Sequence, residues 1–141
     1  MPGEATQPKR ILLVEDHLDH AELAGTWLRG AGYEVVHCAR GEEVLGLAKR
    51  FAPHLILMDI NLPGMDGMAA TRLLRKHPLT AHIPVLALTA YAMPSERRNI
   101  LAAGCAGVIT KPIDFRSFLA TVASLLPCAQ SPQPAREARP G

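Results

Sequence analysis

The sequence predicts an α/β protein, a five-stranded doubly wound parallel sheet with flanking helices, and three observations carry that expectation. Short apolar runs alternate five times with longer stretches of helical periodicity. The runs Leu55–Met58 and Val85–Leu88 are continuously apolar rather than alternating, which is the pattern of strands covered on both faces. Aromatic residues make up only 4% of a chain that is 48% hydrophobic, so the core must come from aliphatic side chains, as under a helix-covered sheet.

The elements follow in order. Ile11–Val14 reads as a strand, and Leu18–Gly30 as a helix with apolar positions at Leu18, Ala21 and Leu28, closed by Gly30 and Gly32. The unit then repeats as Glu34–Cys38 with Glu42–Arg50, Leu55–Met58 with Met68–Lys76, Val85–Leu88 with Ser95–Ala103, and Val108–Thr110 with Phe115–Leu126. Right-handed crossovers through these helices give a parallel sheet, and such sheets bind ligands beyond the carboxyl ends of their strands.

With 141 residues the chain has room for one domain, expected over residues 10–126. Residues 1–9 read as a disordered N-terminal tail, and residues 127–141, with four prolines, as a disordered Pro-rich C-terminal tail. Fifteen basic against thirteen acidic residues leave a formal charge of +2, with no electrostatic footprint for nucleic acid or an anionic membrane. Cys38, Cys105 and Cys128 show no zinc or redox spacing and read as reduced thiols. The polar N-terminus lacks a signal sequence, and no run is long enough to span a bilayer, so the expectation is a soluble cytoplasmic protein.

Chemistry gathers at the strand ends. The first strand runs into Glu15 and Asp16, the third into Asp59, the fourth into Thr89 and the fifth into Lys111 and Pro112. In a parallel sheet these endings converge on one rim, bringing three carboxylates, a hydroxyl and an ammonium into one cleft. Singly, each has a bland account: a helix cap for the Glu-Asp pair, a turn for Asp59, a strand-end Thr89, a surface Lys111. Jointly they are the groups that a Mg²⁺-dependent phosphoryl transfer to a carboxylate uses. Glu15, Asp16, Asp59 and the backbone carbonyl of Asn61 are candidate Mg²⁺ ligands. Asp59 is then the nucleophile, with Lys111 and Thr89 holding phosphoryl oxygens.

The stretches Ile11-Leu-Leu-Val-Glu-Asp16, Leu55-Ile-Leu-Met-Asp-Ile-Asn-Leu-Pro-Gly-Met-Asp-Gly67, Ile83-Pro-Val-Leu-Ala-Leu-Thr-Ala90 and Gly104-Cys-Ala-Gly-Val-Ile-Thr-Lys-Pro112 resemble the receiver domains of two-component response regulators, across the whole folded region. The resemblance implies a CheY-like, flavodoxin-like strand order of 2-1-3-4-5. It also implies Asp59 as phosphoacceptor, Mg²⁺ on Glu15 and Asp16, Thr89 as the switch hydroxyl, Lys111 on the phosphoryl group, and a cis peptide between Lys111 and Pro112. Ala81-His-Ile-Pro-Val85, Thr89-Ala-Tyr-Ala-Met93 and the segment around Cys105 look like single-domain DivK-type receivers. The implied phosphodonor is a histidine kinase or a histidine phosphotransfer protein. Output is expected through protein contact on the face of the fourth helix, fifth strand and fifth helix, from a monomer or weak homodimer.

Two positions depart from the family pattern. Val108 stands where an aromatic rotor is usual, so a weaker or differently transmitted switch is expected, with Tyr91 in the adjoining loop as a partial substitute or a shield over the phosphoryl group. His17 stands where Asp or Asn is frequent, and a helix N-terminal residue is its expected role. His17 and His20 have a metal-compatible spacing, but the sequence offers no third ligand, so a solvated helix face is expected. Two rivals remain: a phosphate-independent interaction module, favoured by Val108, and an aspartyl-phosphate phosphohydrolase. Asn61, two residues after Asp59, argues against the latter in its haloacid-dehalogenase-like form.

Overall fold

The computed structural model describes residues 8–62, 64–90 and 93–126. Five strands, β1 (Arg10–Val14), β2 (Glu34–Cys38), β3 (Leu55–Asp59), β4 (Val85–Thr89) and β5 (Gly107–Thr110), alternate with five helices. These are α1 (Leu18–Gly30), α2 (Val44–Phe51), α3 (Gly67–Lys76), α4 (Pro94–Ala102) and α5 (Phe115–Leu125). All pairings are parallel and the order is β2-β1-β3-β4-β5, the doubly wound sheet expected.

The period of two along a strand divides the core. Leu12 and Val14, Ile56 and Met58, Val85 and Ala87 point to one layer with Val44 and Ala48 of α2, Ala70 and Leu74 of α3 and Ile100 of α4. Ile11 and Leu13, Leu55 and Leu57, Leu86 and Leu88 point to the other, with Ala21, Ala24 and Leu28 of α1 and Phe118 and Val122 of α5. Every residue of β3 and β4 is buried, which is why their sequences carry no polar alternation.

Local chemistry sets several helix starts. The Asp66 carboxylate accepts from Ala69 N (2.8 Å) and the Asp114 carboxylate from Ser117 N (3.1 Å), capping α3 and α5. Pro94 opens α4, where its missing N–H costs nothing. The expected helix over Glu42–Arg50 is corrected at its start, since Gly41–Glu43 forms a 3₁₀ turn before α2 begins. Gly41 is buried against the loop after β3, and a Cβ there would lie 2.5 Å from the Met65 carbonyl oxygen. This close approach leaves no room for a side chain at position 41.

Ordered pairing extends outward to Lys9, whose carbonyl accepts from Glu34 N (2.9 Å). Most of both expected tails, residues 1–7 and 127–141, and with them Cys128, lie outside the described residues. Cys38 and Cys105 are free and buried, and burial pushes both thiols up. Among the described residues no helix is long and apolar enough to cross a membrane.

Candidate functional site

The parallel order brings the ends of β1, β3, β4 and β5 to one rim. Glu15 follows β1 directly and is held by its backbone: its N–H donates to the Cys38 carbonyl (2.9 Å), and its own carbonyl accepts from His37 Nε2 (2.7 Å). A carbonyl only accepts, so His37 carries a proton on Nε2. Asp59 is the last residue of β3, and its Oδ1 accepts from the Asn61 N–H (3.0 Å). Gly67, the first residue of α3, passes so close that a Cβ there would lie 2.5 Å from the Asp59 carbonyl oxygen.

Glu15, Asp59 and Thr89 are 1%, 3% and 3% exposed. One carboxylate oxygen each from Glu15, Asp16 and Asp59 fall within 4.8 Å of one another. Lys111 Nζ enters this group from beyond β5, donating to Glu15 Oε1 (3.0 Å) and Asp59 Oδ2 (3.3 Å). Its backbone N–H donates to the Thr89 carbonyl (2.7 Å), tying the ends of β4 and β5 together, and the Lys111–Pro112 peptide is cis.

Burial pushes the Glu15 carboxyl above its usual range, and the neighbouring Asp59 adds to the rise, while Lys111 only partly offsets them. For Lys111, burial works to lower the pKa, but the Glu15 and Asp59 carboxylates outweigh it and the ammonium is held above its ordinary value. Asp16 Oδ1 is buried and accepts no hydrogen bond. Clustered carboxylates, a glutamate with a raised pKa and an orphaned oxygen describe a cleft short of positive charge. The all-oxygen donor set fits Mg²⁺.

Thus Glu15, Asp16, Asp59 and Lys111 meet directly, Asn61 joins through its N–H, and Thr89 is buried at the same rim. Thr89 and Asn61 also line a cavity of about 220 Å³ with Glu96 and Asn99 of α4. Val108 lies within β5 opposite Ala87, half-buried against the α2–α3–α4 layer. Tyr91 lies outside the described residues.

Two features were not anticipated. The His37 support comes from a neighbouring strand, where no local spacing reveals it. The third ligand missing for His17 and His20 is present in space: Glu15 and both imidazoles offer donor atoms within 4.8 Å of one another. His17 is the N-cap of α1 and makes no side-chain cap bond.

Residues 11–123 match the family profile of the response regulator receiver domain. The chain belongs to this family. It is 39% identical over 119 residues to the polar-differentiation response regulator DivK of Brucella anthropi, covering 84% of this chain and 97% of that protein. DivK of Brucella ovis is 38% identical over 118 residues, with 84% and 96% covered. The kinship with DivK-type receivers expected from the sequence is borne out. Among solved structures, the chemotaxis response regulator CheY4 of Vibrio cholerae superposes with a TM-score of 0.81 at 28% identity, covering 85% of this chain and all of that one. The receiver domain of a sensor histidine kinase from Pseudomonas aeruginosa, solved with a magnesium ion coordinated in its active-site cleft, gives 0.78 at 34% identity, with 84% and 98% covered.

Proposed function

We propose that this receiver takes a phosphoryl group on Asp59 from a histidine kinase or a histidine phosphotransfer protein and signals by phosphorylation-dependent protein contact. The observation that carries the reading is the position of the Asp59 carboxylate: buried at the end of β3, 3.3 Å from the Lys111 ammonium, with the Glu15 and Asp16 carboxylates beside it. Burial removes competing water. The carboxylate attacks phosphorus, an O–P bond forms as the donor's bond to phosphorus breaks, and Lys111 faces the negative charge that accumulates on the transferred group.

Mg²⁺, held by Glu15, Asp16, Asp59 and the Asn61 carbonyl, would supply the positive charge that screens donor and acceptor. Thr89, at the adjoining strand end, is the hydroxyl placed to follow the new charge. Its carbonyl bond to Lys111 N links that movement to β5. The receiver domain is assigned to residues 10–126, working in the cytoplasm as a signalling phosphoacceptor that promotes its own phosphorylation and dephosphorylation. The output face is that of α4, β5 and α5. Val108, an aliphatic residue at the rotor position, favours a second reading, a phosphate-independent interaction module.

Intact mass after incubation with acetyl phosphate and Mg²⁺ separates the two. A gain of one phosphoryl unit that requires metal and is absent in Asp59→Asn supports the phosphoacceptor, whereas no gain in the native chain supports the constitutive module.

A further inference from the structure

Beside the acid cleft, the start of α1 carries two imidazoles in a setting the sequence does not reveal. His17 and His20 stack, with ring centroids 4.8 Å apart and planes 19° from parallel. Their Nδ1 atoms lie 4.0 and 3.9 Å from the same atom, Glu15 Oε2. His17 Nδ1 is also 3.9 Å from Asp16 Oδ1, the buried oxygen without a hydrogen-bond partner. His20 Nδ1 lies 3.4 Å from Lys111 Nζ, and because an ammonium only donates, that nitrogen presents a lone pair in this contact.

We propose that His17, His20 and Glu15 form a second metal site, suited to a late first-row divalent ion such as Zn²⁺, with Asp16 as a fourth donor beside His17. Two imidazoles and a carboxylate are the donors that such ions prefer, whereas Mg²⁺ seeks oxygen alone. Donors about 2.0–2.1 Å from a tetrahedral ion stand about 3.3 Å apart, so binding requires a short inward shift and a turn of the stacked rings that brings their in-plane lone pairs together, a local side-chain rearrangement. Both histidines are free to make it, since their side chains are 67% and 48% exposed. Metal on His20 Nδ1 replaces its contact with Lys111.

The site is joined to the cleft through Glu15. Oε2 faces the imidazoles, while Oε1 accepts from Lys111. Glu15 therefore stands between the imidazoles and the acid cleft. Resting on the reading of the cleft as the Mg²⁺ site, the consequence is competition: zinc drawn to the histidines engages Glu15 and Asp16 and hinders magnesium-dependent phosphorylation of Asp59.

The test is a Zn²⁺ titration of the full chain against a zinc-responsive chelating dye, native compared with H17Q/H20Q. Both histidines are exposed, so the variant should fold, which its thermal shift with Mg²⁺ will check. The expected result is one Zn²⁺ per native chain and affinity lower by about tenfold or more in the variant, with the Mg²⁺ shift unchanged. Cu²⁺ bound to the native chain should show nitrogen hyperfine structure from two imidazoles that the variant lacks. Equal zinc affinity in the two chains, or no zinc binding by the native chain, overturns the site. Acetyl phosphate labelling tests the competition separately: zinc should suppress it in the native chain and much less in the variant, and equal suppression overturns that part. Absence of labelling from both chains without zinc counts against the phosphoacceptor reading and leaves the zinc affinities to decide the site.

Discussion

Lys111 Nζ donates to Glu15 Oε1 at 3.0 Å, closing 96 residues of sequence with one charged hydrogen bond. The same ammonium reaches Asp59 Oδ2, so it is shared between two buried carboxylates that would otherwise face each other. Lys111→Met should therefore push Glu15 further above its usual range and destabilise the metal-free chain by about 2 kcal/mol at pH 8, below the roughly 3–5 kcal/mol of a fully dry pair because the lysine is partly wet. Urea denaturation should find a smaller loss at pH 5, closer to the raised Glu15 pKa. An equal loss at both pH values would contradict the shared-cation account.

Glu15 also sets a pH dependence for metal. Its folded pKa is raised above the ordinary 4.5, so its contribution to metal-free stability is complete below that value and is lost as pH rises through the folded pKa. At the proposed site Mg²⁺ would act in the opposite sense, because it would bind the ionised carboxylate. The rise in Tm on replacing EDTA by Mg²⁺ should be larger at pH 8 than at pH 5, worth about 2.7 kcal/mol at a hundred times Kd. In Glu15→Gln the pH trend of the metal-free chain should flatten.

At the opposite end of the sheet, His54 Nδ1 accepts from the Arg10 N–H (2.9 Å). Burial lowers the His54 pKa from 6.5, and the charges of Arg10 and Lys9 lower it further. A depressed folded pKa gives stability that is present above 6.5 and lost as pH falls through the folded value. His54→Asn can keep the acceptor while removing the titration. Its urea midpoint should fall less than that of the native chain between pH 7.5 and 5, with a difference of at most about 1 kcal/mol.

Gly67 lies against the backbone of the proposed nucleophile. A Cβ there would stand 2.5 Å from the Asp59 carbonyl oxygen and 2.9 Å from Ile60 Cα, both main-chain atoms that cannot swing aside. Gly67→Ala should cost about 1–3 kcal/mol in urea denaturation and slow acetyl phosphate labelling by displacing Asp59. Unchanged stability together with an unchanged labelling rate would show that α3 moves away freely.

The sequence made the central strands legible because Leu55–Met58 and Val85–Leu88 are apolar on both faces, and it made the rim legible because each of the polar residues Glu15, Asp59 and Lys111 follows a strand directly. What escaped it are contacts across elements. Position 41 has no room for a side chain because the Met65 backbone packs against it, and His37 supports Glu15 from the adjoining strand. The two histidines of α1 were visible as a pair, but their common neighbour belongs to the end of β1 and reaches them only through its far oxygen.

The doubly covered β3 has a consequence for insertions and deletions. In a strand with one wet face, slipping by a residue exposes apolar side chains and is opposed by water. Leu55–Asp59 has no wet face, and exchanging Leu57 with Met58 between the two layers would leave both layers oily. Water gives this strand no sense of phase. The residue that opposes a slip is Asp59, whose carboxylate would be drawn from the Lys111 ammonium into hydrocarbon, so the group assigned to the chemistry also acts as the full stop that keeps the strand in frame.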